Sequence, residues 1–354
     1  MPSPAPAPPA ADDPAAAAPP VRPRWARWFT LVVTAIAIVA LVITVWSTGL
    51  GALYDQLRSI GGWFVVILAL EGVATLCDGA VLHGFLGRGG RRPGFLRVLE
   101  AQVAGRAINV VTPMASIGEA TKVTMLMRHT ETSRAVAAVV RFNLSYVAIN
   151  LAFVLIGAPI CAATLPLPDW MIRTLWIGTA VGVAIAIGLV IVVRAGLVVS
   201  LIRVARALRL ISRDRFAVWR DRLRKLDAIT RGEHGLRSWL PGLWALPSKA
   251  LIWVGGWLVL YANGEPPSLG VMAALASAGT LINAGSNVVP LGIGVSEGGT
   301  AALMAALGES PTLGVTMVVA RRVVFLTYAA VGLAIIAADE SRPSRADRRA
   351  PPPA

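Results

Sequence analysis

Apolar residues along this chain do not alternate with polar ones at the spacing of a soluble helix or strand; they come in long blocks with few or no charges. Residues 30–46 carry no charge and, with Ser47 to Leu50, exceed the roughly 20 residues a helix needs to cross a hydrocarbon core of about 30 Å. Comparable blocks occupy 61–82, 136–158, 172–193, 240–261 and 314–337. A single block of this kind fits a buried core helix. Six in one chain predict six spanning helices, because a helix satisfies its own backbone where no water is at hand.

Two further apolar stretches are interrupted. The first, 99–130, holds Gln102, Arg106, Asn109, Pro113, Glu119 and Lys122. The second, 269–308, holds Asn287, Pro290, Gly292, Gly294, Ser296 and Glu297. A helical approach, a Pro- or Gly-containing break and a second helical piece predict a broken helix or re-entrant hairpin; a pair of full spans would keep the same parity. Asn109, Pro113 and Glu119 in the first break correspond to Asn287, Pro290 and Glu297 in the second. Two spans precede each break and one follows, carrying Arg141 in the first case and Arg321 or Arg322 in the second. The expected fold is therefore all-α and polytopic: about six full spans plus two broken or re-entrant hairpins, arranged as an inverted repeat. Discontinuous helices at matching places in two such repeats point to a central site.

Composition places the chain among membrane proteins and organises its ends. Of 354 residues, 56% are hydrophobic and 15% charged, and the mean hydropathy is +0.67, outside the range of ordinary soluble domains. The transmembrane domain is expected over 25–338, with repeat one at about 28–158 and repeat two at about 172–337. Residues 1–24 form a Pro/Ala tail and 339–354 a basic one, both expected to be disordered because they have little to bury. The net charge of +14 raises nucleic acid as a partner, but its placement argues for membrane lipids instead. Between Leu201 and Ser238 stand eleven Arg/Lys and four acidic residues, directly between two apolar blocks. Such a cluster marks the cytoplasmic side, which makes 195–238 a basic cytoplasmic linker and puts both termini inside, in the cell inner membrane.

Little else asks for chemistry. Cys77 and Cys161 cannot form a thiolate metal site, and His83, His129 and His234 have no ligand spacing, so neither a metal nor a cofactor is expected. No nucleophile elbow, phosphate loop or dinucleotide fingerprint is present, and the chain reads as a non-enzyme. Intramembrane ionisable groups are functional candidates by default. Glu119 and Glu297 lead, with Asn109, Asn287, Pro113 and Pro290 beside them. Arg106, Lys122, Arg141, Arg321 and Arg322 are the candidate partners of an anionic headgroup. Asp78 lies seven residues from Glu71 on one helical face, directed at a cavity or at Arg106. The structural alternative makes the two carboxylates helix caps, or ion-pair partners of Arg141 and Arg321 that lock helices together.

At these motifs the chain resembles the lysylphosphatidylglycerol synthase transmembrane-region family, also called flippase-like or UPF0104. Asn109, Pro113, Gly118, Glu119 and Lys122 match its first motif, and Arg134 to Arg141 the helix start that follows. Pro290, Gly292, Gly294, Glu297 and Arg321 or Arg322 match the second. The likeness covers about 60–337. In two-domain members a flippase is joined to a cytosolic aminoacyltransferase, for which this sequence leaves no room, so synthesis of lysyl-lipid is not expected. The resemblance implies translocation of a polar or anionic lipid: a phospholipid, a hopanoid or a polyprenyl-linked glycolipid. It would run by rocking of one repeat against the other, with a lipid-synthesis enzyme as the natural protein partner. The alternatives are a membrane scaffold or assembly factor for lipid or envelope synthesis, and an intramembrane lipid-modifying enzyme.

Overall fold

A computed structural model of the chain describes residues 39, 50–87, 92–111, 117–195, 236–264, 267–286 and 294–341. Among them run α1 (Leu50–Ile60), α2 (Trp63–Phe85), α3 (Phe95–Val111), α4 (Ile117–Leu126), α5 (Thr132–Thr164) and α6 (Asp169–Ala195). A 3-10 segment, Leu236–Trp244, leads into α7 (Ala245–Ala262), followed by α8 (Leu269–Ser286), α9 (Val295–Ala306) and α10 (Pro311–Ser341). The first apolar block, 30–50, lies outside the described residues apart from Val39 and Leu50. So do the 1–24 tail, residues 196–235 of the linker and residues 342–354.

Six helices among the described residues are long and apolar enough to cross a membrane: α2, α5, α6, α8, α10 and the segment Ser238–Ala262 containing α7. Five coincide with the expected blocks. The sixth, α8, is the approaching limb of the second interrupted stretch. Its partner α9 has 12 residues and α4 has 10, which makes them about 18 Å and 15 Å long against a hydrocarbon core of about 30 Å. Each is a half-helix that turns back against the limb before it: α4 packs on α3, and α9 on α8. Residues 51–60, between the first two apolar blocks, are helical. Leucine recurs there at three- and four-residue intervals, and Gly61, at φ 56°, turns the chain into α2.

The two repeats are not side by side. The approaching limb of each hairpin packs on the last span of the other repeat, α3 on α10 and α8 on α5. The first described helix of each does the same, α1 on α10 and α6 on α5, and α2 meets α7 across the pseudo-twofold axis. Small residues allow these approaches. A Cβ on Gly332 of α10 would stand 2.9 Å from the Val103 carbonyl oxygen of α3, and one on Gly157 of α5 would stand 2.7 Å from Ser277 Cβ of α8. Between helices in a bilayer, close backbone packing of this kind takes the place of the hydrophobic effect. Val98, Ala104 and Ile108 of α3 are buried with Leu126 of α4, Ala138 of α5 and Ala329 of α10 in one cluster. A second gathers α8 and α9 onto α5 and α6. The outer face of α6 carries exposed Ile177, Val181, Ile185 and Ile187, as a surface turned toward lipid should.

Candidate functional site

In the first hairpin, Glu119 stands in the opening turn of α4. One of its oxygens accepts from Asn109 Nδ2 (2.8 Å) and from Lys122 Nζ (2.9 Å), and the other from Asn143 Nδ2 of α5 (2.8 Å). Asn109 faces both ways: its Oδ1 accepts the Gly118 N–H at 2.8 Å. It thereby satisfies one of the backbone donors that a helix start leaves without an intrahelical partner. Lys122, 2% exposed, also lies over the Phe142 ring at 4.5 Å. This arrangement needs the two backbones in contact, since any Cβ on Gly118 would collide with the Gly105 carbonyl oxygen and with Asn109.

The second hairpin holds its carboxylate by another route. Glu297 Oε2 accepts from the Gly294 N–H at 2.9 Å and from Ser296 Oγ at 2.8 Å, while Oε1 pairs with Arg322 of α10. It caps its own helix in a capping box, and it joins α9 to α10 through the arginine. The capping expected as the structural alternative is thus the geometry of Glu297. Its ion pair is with Arg322, and that of Glu119 is with Lys122.

Between the hairpins lies a cavity of about 500 Å³. Its walls come from α3, α5, α7, α8, α9 and α10, and so from both repeats. Of the residues singled out in the sequence, Arg106, Asn109, Arg321 and Arg322 line it. Glu119, Lys122, Glu297, Asp78 and Arg141 are not in its lining. Glu119 stands behind Asn109 and Glu297 behind Arg322; Arg141 is buried on α5. Asn287, Pro113 and Pro290 lie outside the described residues.

Asp78 and Glu71 also sit behind the wall. Arg106 forms its ion pair with Glu71 (2.5 Å) and donates to Thr75 Oγ1 (2.9 Å), with Tyr328 under its guanidinium at 5.4 Å. Asp78 instead accepts from Tyr146 Oη, from Ser248 Oγ at 2.5 Å and from Gln102 Nε2 at 3.5 Å. It ties α2 to α3, α5 and α7, the work of a helix-joining hub. Each buried carboxylate therefore has donors, as groups in a low dielectric require.

Sequence reasoning did not select Lys249 as a site residue. It lines the cavity from α7, beside Trp253 and opposite Arg321 on α10. The available signal was a lone charge near the start of a span otherwise free of acidic and basic residues. Four cations therefore face the cavity: Arg106, Lys249, Arg321 and Arg322. No carboxylate belongs to its lining among the described residues. Such a space accommodates a polar or anionic group of small-molecule size, with Trp253, Met272 and Phe325 supplying an apolar wall.

The family model described as the lysylphosphatidylglycerol synthase TM region matches residues 30–332 of the chain. No curated protein and no solved structure matches it.

Proposed function

The chain belongs to the lysylphosphatidylglycerol synthase transmembrane-region family, and from that membership we propose that it moves a lipid with a polar headgroup between the leaflets of the cytoplasmic membrane. Membership supports a lipid-translocation role at the level of the family. The observation that carries the reading for this chain is the cavity, walled by both repeats and lined by four cationic side chains. The headgroup would pass through it along Asn109, Arg106, Arg321 and Arg322, while the tails stay in the hydrocarbon. Glu71 and Glu297 hold Arg106 and Arg322 in place for that passage. With no phosphate-loop motif in the sequence, transport runs downhill, with a coupled ion, or with a partner's energy. Both termini and the basic linker lie on the cytoplasmic side in this reading, as their arginines favour.

The test reconstitutes the full chain in vesicles and follows leaflet exchange of fluorescent phospholipids. Wild type should exceed protein-free vesicles, and Gly279→Leu should return exchange to the protein-free rate. Gly279 lines the cavity, and a Cβ there meets nothing within 4 Å, so a leucine there starts into open space and narrows the cavity. A folded wild type that exchanges no lipid class, or a Gly279→Leu variant as fast as wild type, would sink the proposal. A cysteine placed at Ser268 should react with impermeant reagent from outside intact cells and one at Ser212 should not; the reverse refutes the orientation.

A further inference from the structure

Two of the cavity's four cations are matched by carboxylates and two are not. Arg106 has Glu71 and Arg322 has Glu297. Among the described residues Lys249 and Arg321 make neither an ion pair nor a hydrogen bond; Asp78 and Glu71 act on Lys249, and Glu71 on Arg321, only from a distance. Lys249 lies 5.7 Å from the Tyr146 ring and Arg321 lies 5.4 Å from the Phe325 ring. A ring face softens a positive charge without cancelling it. The two side chains reach the same space from α7 and α10, close enough to repel one another. Like charges that distant carboxylates offset only in part are costly in a low-dielectric interior, and in membrane proteins such groups mark places where a ligand or ion completes the site.

We infer that Lys249 and Arg321 together bind the phosphate of a lipid headgroup whose net charge is negative. The inference rests on the translocation reading and narrows it to a substrate class: phospholipid or isoprenoid phosphates with no compensating ammonium. Arginine presents a rigid fork of N–H donors to two phosphate oxygens, and lysine a compact charge with three rotatable donors to a third. The cavity, at about 500 Å³, falls in the range of roughly 300–1,000 Å³ typical of small-molecule sites. An aminoacylated headgroup with free ammonium groups would bring positive charge to the two cations that lack an ion pair, with no carboxylate in the described lining to receive it. A zwitterionic headgroup would set its ammonium beside the same two cations. A neutral sugar would leave both unmatched.

The decisive experiment compares headgroups on one vesicle background. The full chain is reconstituted in phosphatidylcholine vesicles carrying trace fluorescent phosphatidylglycerol, phosphatidylcholine or lysyl-phosphatidylglycerol, and leaflet exchange of each is followed. Radiolabelled inorganic phosphate uptake is measured in a parallel arm. Wild type should exchange phosphatidylglycerol at least about tenfold faster than the other two, the scale of one charge-assisted hydrogen bond. Lys249→Gln and Arg321→Gln should each lower that rate by about tenfold. Lys249→Arg, which keeps the charge, should retain it, and Lys249→Glu should erase the preference. Faster exchange of phosphatidylcholine or lysyl-phosphatidylglycerol, or a Lys249→Gln variant indistinguishable from wild type, overturns the anionic assignment and leaves translocation standing. Phosphate uptake that depends on Lys249, with no lipid exchange, keeps the anion chemistry and overturns the lipid as its source. Neither exchange nor uptake by folded protein overturns both.

Discussion

Glu119 and Lys122 stand one turn apart on α4 and make an ion pair with the lysine almost wholly buried. Removing one charge from such a pair strands the other away from water. Glu119→Gln should therefore lower stability by about 3–5 kcal/mol, read by denaturant or thermal unfolding in detergent. Combining it with Lys122→Met should recover most of the loss. A double variant as unstable as the sum of the two single ones would show that the carboxylate's bonds to Asn109 and Asn143, not the ion pair, hold the site. The carboxylates themselves were legible in the sequence, because a Glu inside an apolar stretch beside Pro and Gly stands out. Their partners were not. Arg321 and Arg322 are neighbours in sequence, but side chains on adjacent helical residues point about 100° apart. Only the packing of α9 against α10 decides which of them meets Glu297. Lys249 escaped notice because a single lysine near the start of an apolar span reads equally well as a residue reaching for the interface.

The interrupted stretches were legible as elements, since apolar periodicity that stops at Pro or Gly and resumes within a few residues leaves few alternatives. Whether the piece on each far side is a half-helix or a full span stayed open in the sequence; the 10 residues of α4 and the 12 of α9 decide it. What sequence pattern could not supply is how near the limbs lie. In the first hairpin the approach is set by Gly118 against Gly105, whose backbones touch. Gly118→Ala should cost at least about 1–3 kcal/mol through overpacking, with loss of the Asn109 cap and lower yield of folded protein. Gly298→Ala, one residue past Glu297 in the second hairpin, meets nothing within 4 Å and should stay within about 0.5 kcal/mol of wild type. Equal effects at the two positions, measured as unfolding midpoints, would refute the asymmetry. The helix at 51–60 lies between apolar blocks and has no strong sequence signal: one Asp and one Arg in a short segment suit a loop as well, and a leucine repeat of three turns is too brief to outweigh them.

Across the whole molecule the repeats lie crosswise, α3 on α10 and α8 on α5. The expectation that one repeat rocks against the other as an independent body does not fit this packing, because neither repeat keeps its own last span to itself. Any rearrangement around the cavity moves helices drawn from both. The same feature yields a prediction about cleavage. A chain divided within 196–235 should form a stable complex when both pieces are made in one membrane, detected by co-purification. Either piece made alone should be degraded. A first piece that accumulates folded by itself would show that α3 does not need α10. The interleaving also bears on how the protein is made. When α3 has entered the bilayer, its partner α10 lies roughly 200 residues further along the chain, which at 5–20 residues per second is about 10–40 s of synthesis. Through that interval Arg106 and Asn109 sit in a helix with one wall missing, among lipids or under the insertion machinery. The first half of this protein is thus born unfinished, and the ribosome's pace is a condition of its assembly.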